Sequence, residues 1–168
     1  MLKTIKKKKL QASGGCFAIV ASRYNGRYVD SMMRAAVSEL KRAGAKQIRI
    51  VRVPGAYEIP LVAARLARDC SPHAQFLTPS GIRPAAIICL GVILRGETVH
   101  AAHIGEAVSH ALMEVQVAYE VPVIHEVLLL ENEAQARARC LDPQRNRGRE
   151  AAQTALTMAQ VMAGLRAK

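Results

Sequence analysis

The sequence predicts an α/β domain built on a four-stranded parallel sheet. Apolar runs of strand length alternate with segments whose apolar residues recur at helical spacing, in the order β-α-β-α-β-α-β-α-α. The first and third runs are apolar nearly throughout, as strands covered by helices on both faces must be. With 168 residues, 51% of them hydrophobic, the chain can fill one core. Alternating elements of this kind wind with right-handed crossovers.

Residues 1–14 read as a flexible basic N-terminal arm carrying Lys3 and Lys6 to Lys9, and residues 15–168 as a single domain. Cys16 to Ala21 form the first strand, and Ser22-Arg23-Tyr24-Asn25-Gly26 a polar turn at its C-terminal end. Val29, Met32, Met33, Ala36, Val37 and Leu40 mark a helix. Gly44 stops it, and Lys41 and Arg42 suit its last turn. Gln47 to Val53 alternates apolar residues with Arg49 and Arg52, a strand with a wetter face nearer a sheet edge. Pro54 to Pro60 is a second strand-to-helix turn, and Pro60 fits the first turn of a helix that continues to about Asp69. Residues 70–84 hold Pro72, Pro79, Gly81 and Pro84 and read as a long surface loop.

Ala85 to Leu90 is the third strand, leading into Gly91-Val92-Ile93-Leu94-Arg95-Gly96-Glu97-Thr98-Val99-His100. Gly96 permits a sharp backbone path, and Glu97 and Thr98 lie where the next helix should start. Free N–H groups at such a start form an anion seat. His100 then stands in the first turn, with a side chain that exchanges a proton near neutral pH. That helix runs from about Val99 to Tyr119, and Pro122 precedes the fourth strand, Val123 to Leu129. Asn132 followed by Gln135 resembles a capping box for a short Ala/Arg helix. Asp142-Pro143 breaks it, and the last helix starts near Gly148 or Arg149 with Ala151, Ala155, Met158, Ala159 and Met162 as its apolar stripe. Ligands of parallel sheets bind beyond the C-terminal strand ends, where Arg23 to Asn25, Pro54 to Glu58 and Arg95 to His100 fall, with His125 and Glu126 nearby.

No apolar run is long enough to cross a membrane, and no signal peptide follows the basic start, so the expected location is cytoplasmic. Cys16, Cys70, Cys89 and Cys140 lack metal or redox spacing and read as free thiols; no metal site is expected. The net charge of +11 leaves polyanion attraction open. The basic arm carries no interleaved aromatics on which bases stack, which argues against dedicated nucleic-acid recognition. Arginines of the second basic cluster, Arg137, Arg139, Arg145, Arg147 and Arg149, suit a small phosphorylated ligand.

Several segments together carry a resemblance: Phe17 to Asn25, Val53-Pro54-Gly55-Ala56-Tyr57-Glu58-Ile59-Pro60, Gly91 to His100, Val121-Pro122-Val123-Ile124, Asn146-Arg147-Gly148, and the terminal pattern Glu150-Ala151-Ala152, Ala155, Met158-Ala159. In this order and with these flanks the chain resembles the 6,7-dimethyl-8-ribityllumazine synthases of riboflavin biosynthesis. The resemblance covers nearly all of the chain after the arm. It implies a flavodoxin-like three-layer α/β/α sandwich assembled into homopentamers, or larger shells built from them, with sites between subunits. It implies condensation of 5-amino-6-(D-ribitylamino)uracil with 3,4-dihydroxy-2-butanone 4-phosphate, with no metal or organic cofactor, and riboflavin synthase as a possible partner.

Carried over by position, Tyr24 matches an aromatic that stacks on the pyrimidine, and Ala56, Tyr57 and Glu58 match the segment that holds the ribityl chain. A Glu entering a helix also simply complements its dipole. Val92, Ile93 and Leu94 match the strand end that reads the ring edge, Glu97 and Thr98 the phosphate seat, and His100 the general acid/base. Arg139 matches the phosphate-binding arginine of the neighbouring subunit, Arg147 a nearby position that is commonly Lys, and Glu150 an acidic residue that orients His100. Three features depart from the pattern: His125 stands where a pyrimidine-covering Phe is usual, the loop over 70–84 is long, and Cys140 to Arg145 replace a Gly/Lys-rich loop, with Arg137 an alternative to Arg139. His125 and the altered Cys140 to Arg145 loop leave open a non-catalytic flavin-binding, lumazine-binding or shell-forming paralogue.

Overall fold

The computed structural model describes residues 11–12, 15–68 and 84–166. Most of the basic arm, Cys70 and nearly all of the 70–84 loop lie outside the described residues. The elements are β1 (Cys16–Ser22), α1 (Gly26–Arg42), β2 (Gln47–Val53), α2 (Ile59–Arg68), β3 (Pro84–Leu94), α3 (His100–Tyr119), β4 (Val123–Leu130), α4 (Glu133–Ala136) and α5 (Arg147–Arg166). A π-helical segment, Arg137–Leu141, continues α4. The sheet is parallel with strand order β2-β1-β3-β4. β2 is therefore an edge strand, which explains why its arginines alternate with apolar residues.

Alternate side chains of the strands point to opposite faces, and two cores result. Phe17, Ile19, Ile88 and Leu90 pack under α1 and α5. Ala18, Val20, Ile87 and Cys89 pack under α2 and α3. The architecture is thus the expected three-layer sandwich. Cys89 and Cys140 are buried free thiols and Cys16 is a partly exposed one.

Local chemistry sets the boundaries. Gly44 ends α1 with φ +84. Its N–H donates to Lys41 O and that of Ala45 to Leu40 O, both at 3.0 Å, so a left-handed residue satisfies two terminal carbonyls. Asn132 caps α4 by accepting from Gln135 N at 3.0 Å, and the Gln135 side chain accepts from Glu131 N at 3.0 Å. Both α1 and α5 bury small residues against each other, among them Ala36, Ala151, Ala152 and Ala155. A Cβ at Gly148 would lie 1.9 Å from Met32 O, so only glycine allows α5 to start this close to α1.

Three boundaries differ from expectation. β3 takes in Pro84 at one end and Gly91 to Leu94 at the other, since Leu94 still pairs with Leu130. α3 begins only at His100, after an N-cap at Val99, so Glu97 and Thr98 belong to the preceding loop. Gly96 adopts no left-handed conformation there, and a Cβ on it would meet nothing within 4 Å. The last helix begins at Arg147, slightly before the glycine.

Candidate active site

The C-terminal ends of β1, β2 and β3 are stitched together by backbone and by one amide side chain. Arg23 N donates to Val53 O at 2.8 Å and Tyr24 N to Pro54 O at 3.0 Å. Asn25 takes a left-handed φ of 54, which Asn tolerates better than most residues. From there its Nδ2 donates to Val92 O at 2.8 Å. This tie fixes the Tyr24 turn against the end of β3. In the sequence only an Asn at a strand-to-helix turn signals this role of Asn25.

Two aromatic rings stand off this edge. Tyr24 is 74% exposed and Tyr57 64% exposed, so neither is a turn aromatic packed locally. Ala56 is half-buried and Glu58 exposed. The Glu58 carboxylate folds back to accept from Gly55 N at 2.8 Å, which steadies the turn before α2. Val92 and Ile93 bury their side chains, so only their backbone can meet a ligand; Leu94 is half-buried. Arg95 pairs across the surface with Glu131 at 2.9 Å.

Glu97, Thr98 and His100 are exposed at the start of α3. That helix has no side-chain cap and no acidic residue in its first turn. Its leading N–H groups are unmatched within the helix and its positive dipole end is uncompensated. His100 and Tyr57 line one open hollow, together with His103, Ile104 and Ala107. His103, one turn beyond His100, was not singled out in the sequence.

The remaining candidates lie elsewhere. His125 sits on β4 facing α3: its Nδ1 accepts from Val127 N at 3.3 Å and its Nε2 lies 2.9 Å from Ser109 Oγ, which donates to Gly105 O at 2.7 Å. This chain of bonds fits a neutral ring protonated on Nε2. Burial by its surroundings pushes the imidazole below its ordinary value, although the residue keeps part of its surface in solvent.

Arg139, Arg147 and Glu150 lie on the α1/α5 side of the sheet. Asn146 organises them. It is 5% exposed, its Nδ2 donates to Cys140 O and to Ser31 Oγ, and its Oδ1 accepts from Gly148 N at 2.9 Å. One amide thus ties the π-helical segment to the first turn of α5 and to α1. Arg147 lays its guanidinium on the Glu126 carboxylate at 2.8 and 3.0 Å and also holds Glu150. Arg137 pairs with Glu133 at 3.1 Å. Arg139 is exposed and makes no hydrogen bond or ion pair among the described residues, while its charge still reaches Glu126. Of the two, Arg139 is the one whose guanidinium is unpaired among the described residues.

Among the described residues no hydrogen bond or ion pair joins His100 to Arg139, Arg147 or Glu150. His100 and His125 lie on the α2/α3 side of the sheet and Arg139, Arg147 and Glu150 on the α1/α5 side, two groups on opposite faces. Among the described residues no group of three or more His, Cys, Asp or Glu side chains is placed to hold a metal ion.

Residues 14–163 match the family described as 6,7-dimethyl-8-ribityllumazine synthase. The chain belongs to this enzyme family. Proteins of that name from Stenotrophomonas maltophilia (strain R551-3) and Xanthomonas campestris pv. campestris (strain B100) are 39% and 38% identical over 148 residues, 87% of this chain and 88% of theirs. The one from Coxiella burnetii (strain RSA 493 / Nine Mile phase I) is 37% identical over 147 residues, 86% of this chain and 89% of its own. The match begins at the end of the basic arm and runs through both groups of candidate residues. No helix among the described residues is long and apolar enough to cross a membrane.

Proposed function

We propose that the chain condenses 5-amino-6-(D-ribitylamino)uracil with 3,4-dihydroxy-2-butanone 4-phosphate to give 6,7-dimethyl-8-ribityllumazine, phosphate and water. The observation that carries this reading is the uncapped start of α3, with His100 in its first turn beside Tyr57, and an exposed Tyr24 ring after the end of β1. The N–H groups at Glu97, Thr98 and the helix start receive the phosphate, so an acidic side chain at Glu97 is tolerated when it turns away. Tyr24 supplies a face for the pyrimidine; Ala56, Tyr57 and Glu58 take the ribityl chain; the backbone of Val92, Ile93 and Leu94 takes the ring edge. His125 covers the ring in place of the usual Phe.

The amine of the uracil attacks the ketone and loses water to form an imine. Elimination then expels phosphate, and the second nitrogen closes the ring with loss of a further water. Each step moves a proton, for which one imidazole near neutral pH suffices. Arg139 and the helix N–H groups stabilise the departing phosphate. Holding two reactants in contact supplies much of the acceleration.

The opposite placement of the two groups fits sites completed by a second copy: His100 from one chain, Arg139 and Glu150 from the next. Leu61, Val99, Met113 and Val117, exposed on the α2/α3 side, offer apolar surface for such contacts in a homopentamer. The test is turnover of the two substrates by purified protein, followed by lumazine fluorescence. Acceleration over the uncatalysed background supports the enzyme reading, and none from an assembled protein overturns it in favour of a binding or shell-forming role.

A further inference from the structure

Glu126 is a charged residue inside a buried strand, 5% exposed, and no step above uses it. β4 turns it to the α1/α5 face, where its strand neighbours Ile124 and Leu128 join the core. A carboxylate there is costly unless paired. Arg147 pairs it fork on fork, Nε to Oε2 at 3.0 Å and Nη2 to Oε1 at 2.8 Å. The remaining nitrogen, Nη1, holds Oε2 of Glu150. Side-chain exposure rises along this row: 7% at Glu126, 32% at Arg147, 49% at Glu150. Oε1 of Glu150 accepts nothing among the described residues. The row therefore runs from a fixed inner carboxylate to an outer one with a lone pair to offer. Burial holds the Glu126 carboxyl above its ordinary value and Glu150 pushes the same way, against the pull of Arg147 and, more weakly, Arg139.

We propose that Glu126 is a positioning residue: it fixes the plane of Arg147, and Arg147 in turn holds the Glu150 carboxylate where His100 of a second copy meets it. The inference rests on the reading of the reaction given above. Arg147 is then a brace, not a phosphate ligand, and Arg139 alone from this group meets the phosphate. A buried ion pair is a poor device for stability alone, since apolar residues of similar volume often serve as well. A planar fork fixes orientation in a way that a point charge does not.

The experiment is a double-mutant cycle on the assembled enzyme, using Glu126→Gln, Glu150→Gln and both together, with kcat and both KM values measured. Wild-type turnover reports on the reaction itself, so its absence counts against the functional reading and is distinct from the cycle's result. With active wild type, Glu126→Gln lowers kcat about tenfold, the effect of a small misplacement of a catalytic partner, and leaves the KM for the phosphate substrate unmoved. In the Glu150→Gln background the same change has no further effect. A full, independent loss in that background, a wild-type kcat for Glu126→Gln, or a rise confined to the KM for the phosphate substrate overturns the proposal. If Glu126→Gln fails to assemble, Arg147→Lys, which keeps the charge and removes the fork, is read against Glu150→Gln in the same cycle.

Discussion

The start of α3 and the start of α5 are built in opposite ways. At α3 the backbone is tied and the side chains stand clear: Asn25 and the turn hydrogen bonds fix the strand ends, while Tyr24, Tyr57 and His100 project into solvent. At α5 the side chains themselves are tied. Asn146 bonds to three other residues, and Glu126, Arg147 and Glu150 hold one another. Arg139 stands apart from that network. On the proposed reaction, the first region presents reacting groups and the second orients what one copy contributes to the site of the next.

The largest expected effect breaks the second region. Gly148→Ala drives a Cβ into the Met32 carbonyl, where backbone on both sides cannot yield cheaply. Unfolding measurements are expected to show a loss of about 3 kcal/mol or displacement of α5, as overpacking of this severity lies at or beyond the usual range. A stable protein with unchanged α1–α5 packing would contradict the close approach.

Next comes the first region. His100→Ala lowers turnover about a hundredfold if His100 is the acid/base. Because the side chain is exposed, thermal unfolding should not change. Unchanged turnover would remove His100 from the mechanism. A smaller change is expected for Arg139→Ala, which raises the KM for the butanone phosphate about tenfold and leaves that for the pyrimidine in place. Equal shifts in both would deny Arg139 a phosphate role.

The smallest effect concerns pH and β4. The folded His125 ring holds its proton less tightly than the unfolded one. As pH falls below the ordinary imidazole value of about 6.5, the unfolded chain binds more protons than the folded chain, so stability declines until the folded ring titrates. His125→Phe should flatten that part of a plot of unfolding midpoint against pH. An unaltered slope would mean that burial between β4 and α3 does not hold the ring neutral.

Much of this was legible locally. Apolar runs and helical spacing place every strand and the long helices, and alternation in Gln47 to Val53 marks an edge. His100 is found from the strand before it and the helix after it. What was not legible depends on contacts far apart in the chain. Ser31 and Asn146, 115 residues apart, meet only because α1 and α5 pack together. Glu126 in an apolar strand is a signal of something, but its partner depends on which face α5 covers. Arg137 and Arg139 look alike in sequence; only the π-helical turn, too short to leave a periodic pattern, sends one to Glu133 and leaves the other clear. Arg147 shows the same limit: its charge suggested phosphate, and its neighbours turn out to be two carboxylates.

The central claim is that the two regions meet across a boundary between copies. The direct measurement mixes His100→Ala and Arg139→Ala chains, which alone keep about a hundredth and about a tenth of wild-type turnover at limiting butanone phosphate, under conditions that exchange subunits. Random reassembly of a head-to-tail ring leaves about a quarter of the interfaces with both intact groups, so about a quarter of wild-type turnover should return. No recovery in assemblies proven to contain both chains would contradict a shared site and place the whole chemistry within one copy.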